Sequence, residues 1–165
     1  MSEQNSTNNN ISDIAKLDNR QRGQLAELAF MRKAASLGFS VSKPWQEAER
    51  YDVVVRVGSI FWRIQVKSVL APIRPSSNSY RVNTISGSTK RRHYSTMDAD
   101  FLVAYIFATD VWYVLPITAI EARKSVCVRP GSQKCRFLQY REAWDLLKAN
   151  SAEAQTPSAL SQGAS

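Results

Sequence analysis

An acid, an amide and an ammonium occupy Asp52, Gln65 and Lys67, the last two in the triplet Gln65-Val66-Lys67. Hard oxygen ligands hold Mg²⁺, which polarises a phosphate and lowers the pKa of bound water, while a nearby ammonium stabilises developing negative charge or orients that water. Asp52 and the amide oxygen of Gln65 are therefore candidate metal ligands, with Lys67 as their companion cation, for hydrolysis of a phosphodiester. Glu27 is a further candidate, binding directly or through water. Its helix face carries Gly23, Phe30, Met31 and Ala34, small or apolar groups that turn an acid inward. A carboxylate buried without a cation or donors is prohibitively costly, and a metal shared with Asp52 would supply one.

These side chains meet only if the segments carrying them pair in one register. Two β-rich runs, residues 51–57 and 60–69, flank Gly58-Ser59, a Gly-x pair suited to a two-residue hairpin turn. That turn sets Val57 opposite Ile60, Val55 opposite Trp62, Val53 opposite Ile64 and Asp52 opposite Gln65. Lys67 then lies on the face of Gln65, two residues on, while Val53, Val55, Val57, Ile60, Trp62, Ile64 and Val66 make the other face apolar. Plainer readings stand beside this one: a polar strand face usually meets solvent, Gln65 could satisfy a backbone group, and Glu27 could pair on the helix surface with Arg20 or in the neighbourhood of Lys33.

Upstream, a helical pattern runs from Ser12-Asp13, or from about Asn19, to Leu37 and stops at Gly38. Phe39 and Val41 lead through Pro44 into a polar turn. Downstream, strands are predicted over 80–85, 100–107, 111–117 and 126–128, with a short helix over 118–124 and a closing helix over 140–149. Without the short helix and the short strand at 126–128, the order α-β-β-β-β-β-α indicates an α/β fold with a mixed central sheet. Residues 1–11 and 150–165 read as disordered tails around one domain at 12–149.

Composition narrows the partners. Of 165 residues 44% are hydrophobic, enough for one core, and the net charge is +8. No Asp or Glu falls between Val53 and Met97, whereas Arg56, Arg63, Lys67, Arg74, Arg81, Lys90, Arg91 and Arg92 do, so the positive charge is concentrated mid-chain. A polyanion is the partner this favours. Candidate phosphate contacts are Arg63, Arg81 and the run Lys90-Arg91-Arg92-His93-Tyr94, although such runs are often merely solvated. Asp98 and Asp100 read as strand-edge caps or salt-bridge partners of that basic loop. The tryptophans read as core, with Trp45, near the site, able to stack on a base. Cys127, Cys135 and the single His93 cannot build a zinc cluster. The apolar stretch 101–116 is interrupted by Asp110 and too short for a membrane span. The polar start and few cysteines suit the cytoplasm.

Asp52, the Gln65-Val66-Lys67 triplet on the second strand of a hairpin and Gly23-x-x-x-Glu27 on a preceding helix resemble the PD-(D/E)xK nuclease superfamily. The nearer likeness is to its endonuclease family that includes a group I intron-encoded homing endonuclease with a Gln-x-Lys motif. It runs from about Gln21 to Lys148, through Arg50-Tyr51-Asp52, the Tyr94 to Phe101 block, Trp112-Tyr113 with Pro116, and Tyr140 to Trp144. The resemblance implies a restriction-endonuclease-like αβββαβ core, Mg²⁺ dependence with Mn²⁺ as a substitute, cleavage of double-stranded DNA leaving a 5′-phosphate, and Glu27, Asp52, Gln65 and Lys67 as the active-site set. Gln65 departs from the acid of the wider superfamily, as the homing-enzyme branch also does, and Tyr51 stands where many members have proline. Cutting both strands needs two active sites, so a homo-oligomer, dimer or tetramer, is expected. A structure-selective nuclease similar to Holliday junction resolvases and a catalytically silent DNA-binding module are the alternatives.

Overall fold

The computed structural model describes residues 11–46, 49–86 and 92–148. The tails expected at 1–11 and 150–165 lie outside them, apart from Ile11, as do Lys90 and Arg91.

Residues 11–16 are helical, and the main helix α1 (Asn19–Ser36) starts separately on a reciprocal cap. Asp18 accepts from the Gln21 N–H at 2.7 Å, and the Gln21 side chain accepts from the Asp18 N–H at 3.0 Å. The helix ends where Gly38 takes φ +86°, which lets Phe39 N–H reach the Ala34 carbonyl at 3.1 Å.

Beyond the helix come β1 (Ser40–Ser42), β2 (Val53–Val57) and β3 (Ile60–Val69). After β3 the chain forms β4 (Tyr80–Asn83), β5 (Ile85–Ser86) and β6 (Arg92–His93), then β7 (Phe101–Ile106), β8 (Val111–Pro116), the short helix α2 (Ile117–Ile120) and β9 (Ser125–Val128). Five strands form a mixed sheet in the order β1-β2-β3-β7-β8, with β3 and β7 parallel and the other neighbours antiparallel. A second ribbon pairs β4 with β9, and a third pairs β5 with β6.

The sheet is buried on both faces, which accounts for the unbroken apolar runs of β7 and β8. On one face the Ala26, Phe30 and Ala34 stripe of α1 packs on Val53, Val55, Ile64, Val66 and Val103. On the other, Leu102, Ala104, Ile106, Tyr113 and Leu115 pack on Tyr80 and Val82 of β4 and on Val126 and Val128 of β9. Phe30 is fully buried, its ring centroid 6.1 Å from that of Trp112 and 6.0 Å from that of Trp144. Phe30→Ala is expected to cost about 3–5 kcal/mol of stability in denaturant unfolding. A loss below about 1 kcal/mol would contradict this packing.

Two expectations need correction. The closing helix over 140–149 is instead a pair of 3₁₀ turns, Leu138–Tyr140 and Trp144–Leu147. Glu142 between them adopts φ +49°, donates its N–H to the Trp112 carbonyl, and accepts from the Trp112 N–H and Trp144 Nε1, each at 2.8 Å. Pairing with the edge of β8 replaces a helical ladder there. The helix over 118–124 shrinks to α2, because Glu121 is extended and Ala122 takes φ +60°. No helix among the described residues is long and apolar enough to cross a membrane.

Candidate active site

The β2–β3 hairpin turns at Gly58, φ +60°, and its register runs from Val57 opposite Ile60 to Val53 opposite Ile64 as the turn requires. Asp52 is the first residue past the ladder. Its N–H still donates to the Ile64 carbonyl at 2.8 Å, and its carboxylate bends back over the partner strand. Oδ2 accepts the Val66 N–H at 2.8 Å and also a hydrogen bond from Gln65 Nε2. Asp52 and Gln65 are thus direct neighbours across the hairpin. Gln65 is buried; its Nε2 also reaches the Val66 carbonyl at 3.2 Å, and its Oε1 accepts from the Tyr94 hydroxyl at 3.0 Å.

Lys67 Nζ stands 5.4 Å from the centroid of the Tyr94 ring, and the Arg50 guanidinium 5.3 Å from the same ring. Glu27 enters from α1, half-buried, with Oε2 held at 2.5 Å by Lys43 Nζ. All four acid, amide and ammonium groups line one open cleft of about 1030 Å³, together with Arg20, Gly23, Lys43, Trp45, Tyr51 and Arg81.

Burial pushes the Asp52 carboxyl up from 3.8 to about 6. The Val66 N–H pulls it back, Glu27 adds to the rise, and Lys67 and Lys43 oppose it. Burial lowers the Lys67 ammonium, with Asp52 opposing. Asp52 and Glu27 thus set two carboxylates beside one cleft, with Asp52 made costly to ionise chiefly by its burial. That donor set fits a hard divalent cation. Among the described residues no three His, Cys, Asp or Glu side chains converge on one point, so a metal here would draw on Asp52, Glu27 and neutral oxygens such as that of Gln65.

The other sequence candidates divide. Arg81 is exposed at the cleft wall, and Arg92 is exposed while pairing with Asp98 at 2.8 Å. His93 Nδ1 meets the Arg123 carbonyl at 2.9 Å. Arg63 does not reach the cleft lining: it binds Asp100 at 2.8 and 3.2 Å and the carbonyls of Met97 and Thr96 at 2.8 and 2.7 Å, which leaves few donors for a phosphate. Tyr94 is buried, 4% exposed, and belongs to the interior of the site instead of an outer DNA-facing surface. Asp98 and Asp100 serve as caps and ion-pair partners, Asp98 accepting from Ser95 N–H and Oγ at 2.9 Å and pairing with Arg50 at 3.2 Å. Lys43 was not singled out from the sequence, and Arg50 only as part of the Arg50-Tyr51-Asp52 block. Lys43 reaches Glu27 only because β1 turns the chain back along α1, and β1 carries no strand signal beyond Val41.

A family model described as PD-(D/E)XK endonuclease matches residues 17–147. The chain belongs to the PD-(D/E)XK endonuclease family. Its five-stranded mixed sheet with flanking helices is the restriction-endonuclease-like fold of that family, and as a PD-(D/E)XK protein it is a nuclease. The solved structure of a bacterial homing endonuclease, I-Ssp6803I, is 28% identical with a TM-score of 0.74, over 85% of this chain and 100% of that one. Hjc, a Holliday junction resolvase from Archaeoglobus fulgidus, is 13% identical with a TM-score of 0.41, over 66% of this chain and 84% of that one. Nothing among curated proteins matches the chain.

Proposed function

We propose that this PD-(D/E)XK nuclease is a Mg²⁺-dependent endonuclease of double-stranded DNA, associated with homing or another mobile element and acting as a cytoplasmic homo-oligomer. The observation that carries this reading is the meeting of Asp52 and Gln65 across the hairpin, beside Lys67 and Glu27, in a cleft whose rim holds Arg20, Lys43 and Arg81. The likeness over the whole length of a homing endonuclease supports it.

Asp52 and Glu27, with the oxygen of Gln65, would hold the divalent ion. When bound, that ion polarises the phosphate and acidifies the attacking water. Asp52 must be ionised to serve, so a carboxyl near 6 is ready at neutral pH and lost below it. Lys67, desolvated and beside Asp52, keeps its ammonium on the side where charge builds on the phosphate. Arg81 and the basic run from Lys90 to Arg92 would draw the backbone in, and Trp45, almost fully exposed at the rim, offers a flat face to a base. Two copies of the site would cut the two strands.

The test uses linear, supercoiled and four-way-junction DNA with Mg²⁺ or EDTA. Cutting of duplex only in Mg²⁺ is the expected result. Preference for the junction would favour a structure-selective enzyme, and shifted but uncut DNA a silent binding module. In Ca²⁺, where binding is read without cleavage, Arg81→Ala should lower the slope of log affinity against log salt by about 0.9. An unchanged slope would remove Arg81 from the phosphate contacts.

A further inference from the structure

We propose that Tyr94 is a positioning residue of the active site, its hydroxyl serving Gln65 in two amide orientations: one with the NH₂ against Asp52, the other with the carbonyl oxygen turned to a divalent cation shared with Asp52. This rests on the reading that such a cation binds at Asp52.

The hydrogen bonds of Gln65 carry the inference. Its NH₂ donates to Asp52 Oδ2 and to the Val66 carbonyl at 3.2 Å, so it lies between two oxygens, as a cation would. Its own oxygen points the opposite way, to the Tyr94 hydroxyl at 3.0 Å. In this orientation the amide blocks Asp52 and contributes no oxygen beside it. A half-turn about the terminal side-chain bond exchanges the two ends. The oxygen then faces Asp52 and the Val66 carbonyl, an arrangement of three oxygens that is repulsive unless a cation stands among them.

The same half-turn carries the NH₂ to Tyr94. Gln65 is buried, so that donor needs an acceptor, and a phenol both donates and accepts. Rotation of the O–H alone converts one pairing into the other. A carboxylate at position 65 would need none of this, having two equivalent oxygens. The amide and the tyrosine therefore work as a pair.

Tyr94 is well placed to stay still while Gln65 turns. It is 4% exposed, its ring lies 5.3 Å from the Arg50 guanidinium and 5.4 Å from Lys67 Nζ, and Arg50 is tied by Asp98 at 3.2 Å. Asp98 in turn caps Ser95, the next residue in the chain, at 2.9 Å. One ring thus touches both Gln65 and Lys67 and is braced from behind.

The test is Ca²⁺ binding without DNA, measured by calorimetry, together with the side-chain amide ¹⁵N–¹H signals of Gln65. In the wild-type chain Ca²⁺ should shift the Gln65 pair strongly; signals that stay in place while Ca²⁺ binds would overturn the proposal, whatever the variants do. Tyr94→Phe should weaken Ca²⁺ about tenfold, because the amide donor turned toward position 94 is left without an acceptor. It should also lower the unfolding temperature in EDTA, because Gln65 Oε1 loses its donor. In a Gln65→Glu background the same substitution should cost less than about threefold. Unchanged affinity in Tyr94→Phe, or equal losses in both backgrounds, would also overturn it. Failure of the wild-type chain to bind Ca²⁺ at all would instead remove the cation reading on which it rests.

Discussion

Lys67→Ala is expected to lower the rate of DNA cleavage at saturating enzyme by about 10²–10⁴-fold while DNA binding stays measurable. Lys67 shares the polar face of β3 with Gln65, lies beside the Tyr94 ring, and has its ammonium lowered by burial and supported by Asp52. A cation taken out of water acts on developing phosphate charge with little screening, which is why one side chain carries so large an effect. Alanine also removes one of the two lysine charges that oppose the rise at Asp52, so the pH at which cleavage is half lost should move upward. Single-turnover rates across pH measure both. Cleavage within a few-fold of wild type would take Lys67 out of the chemistry.

Asp52→Asn should abolish cleavage and, in EDTA at pH 7.5, make the protein more stable. The folded Asp52 has a pKa of about 6 against 3.8 for the free side chain. Between these values the folded state keeps a proton that the unfolded state has released, so stability falls as pH rises through this window, and above it the full cost of the buried charge is present. Asparagine removes that cost while its amide oxygen still accepts from the Val66 N–H. The gain should be visible as a higher unfolding temperature at pH 7.5 and absent at pH 3. Divalent metal should reverse the order, stabilising wild type and not Asp52→Asn, since a ligand that binds only the folded state adds to its stability. A variant less stable than wild type in EDTA at pH 7.5 would contradict the raised carboxyl.

The hairpin was legible because its turn is local. Gly58-Ser59 fixes five strand pairs by counting, and the alternation of Val53, Val55, Ile64 and Val66 fixes which face α1 covers. Asp52 and Gln65 follow from the same count, one step past the ladder. What joins them to Tyr94 does not: the contact spans 29 residues and depends on the segment before β7 folding over the site, while β7 pairs parallel with β3 and no turn residue announces that register. Tyr94 therefore reads in sequence as the end of a basic run. Arg63 misleads for a similar reason, because its partner Asp100 lies 37 residues away on the neighbouring strand's lead-in. The Glu27–Lys43 pair needed β1, three residues long with serine at both ends, and the closing helix yielded to the tertiary pairing of Glu142 with Trp112.

Supercoiled plasmid incubated with the wild-type chain or Asp52→Asn, each in Mg²⁺ and in EDTA, is the most direct measurement of metal-dependent DNA cleavage centred on Asp52. Nicked or linear plasmid should appear only with the wild-type chain in Mg²⁺. Cutting in EDTA, cutting by Asp52→Asn at the wild-type rate, or intact plasmid in all four reactions would contradict it.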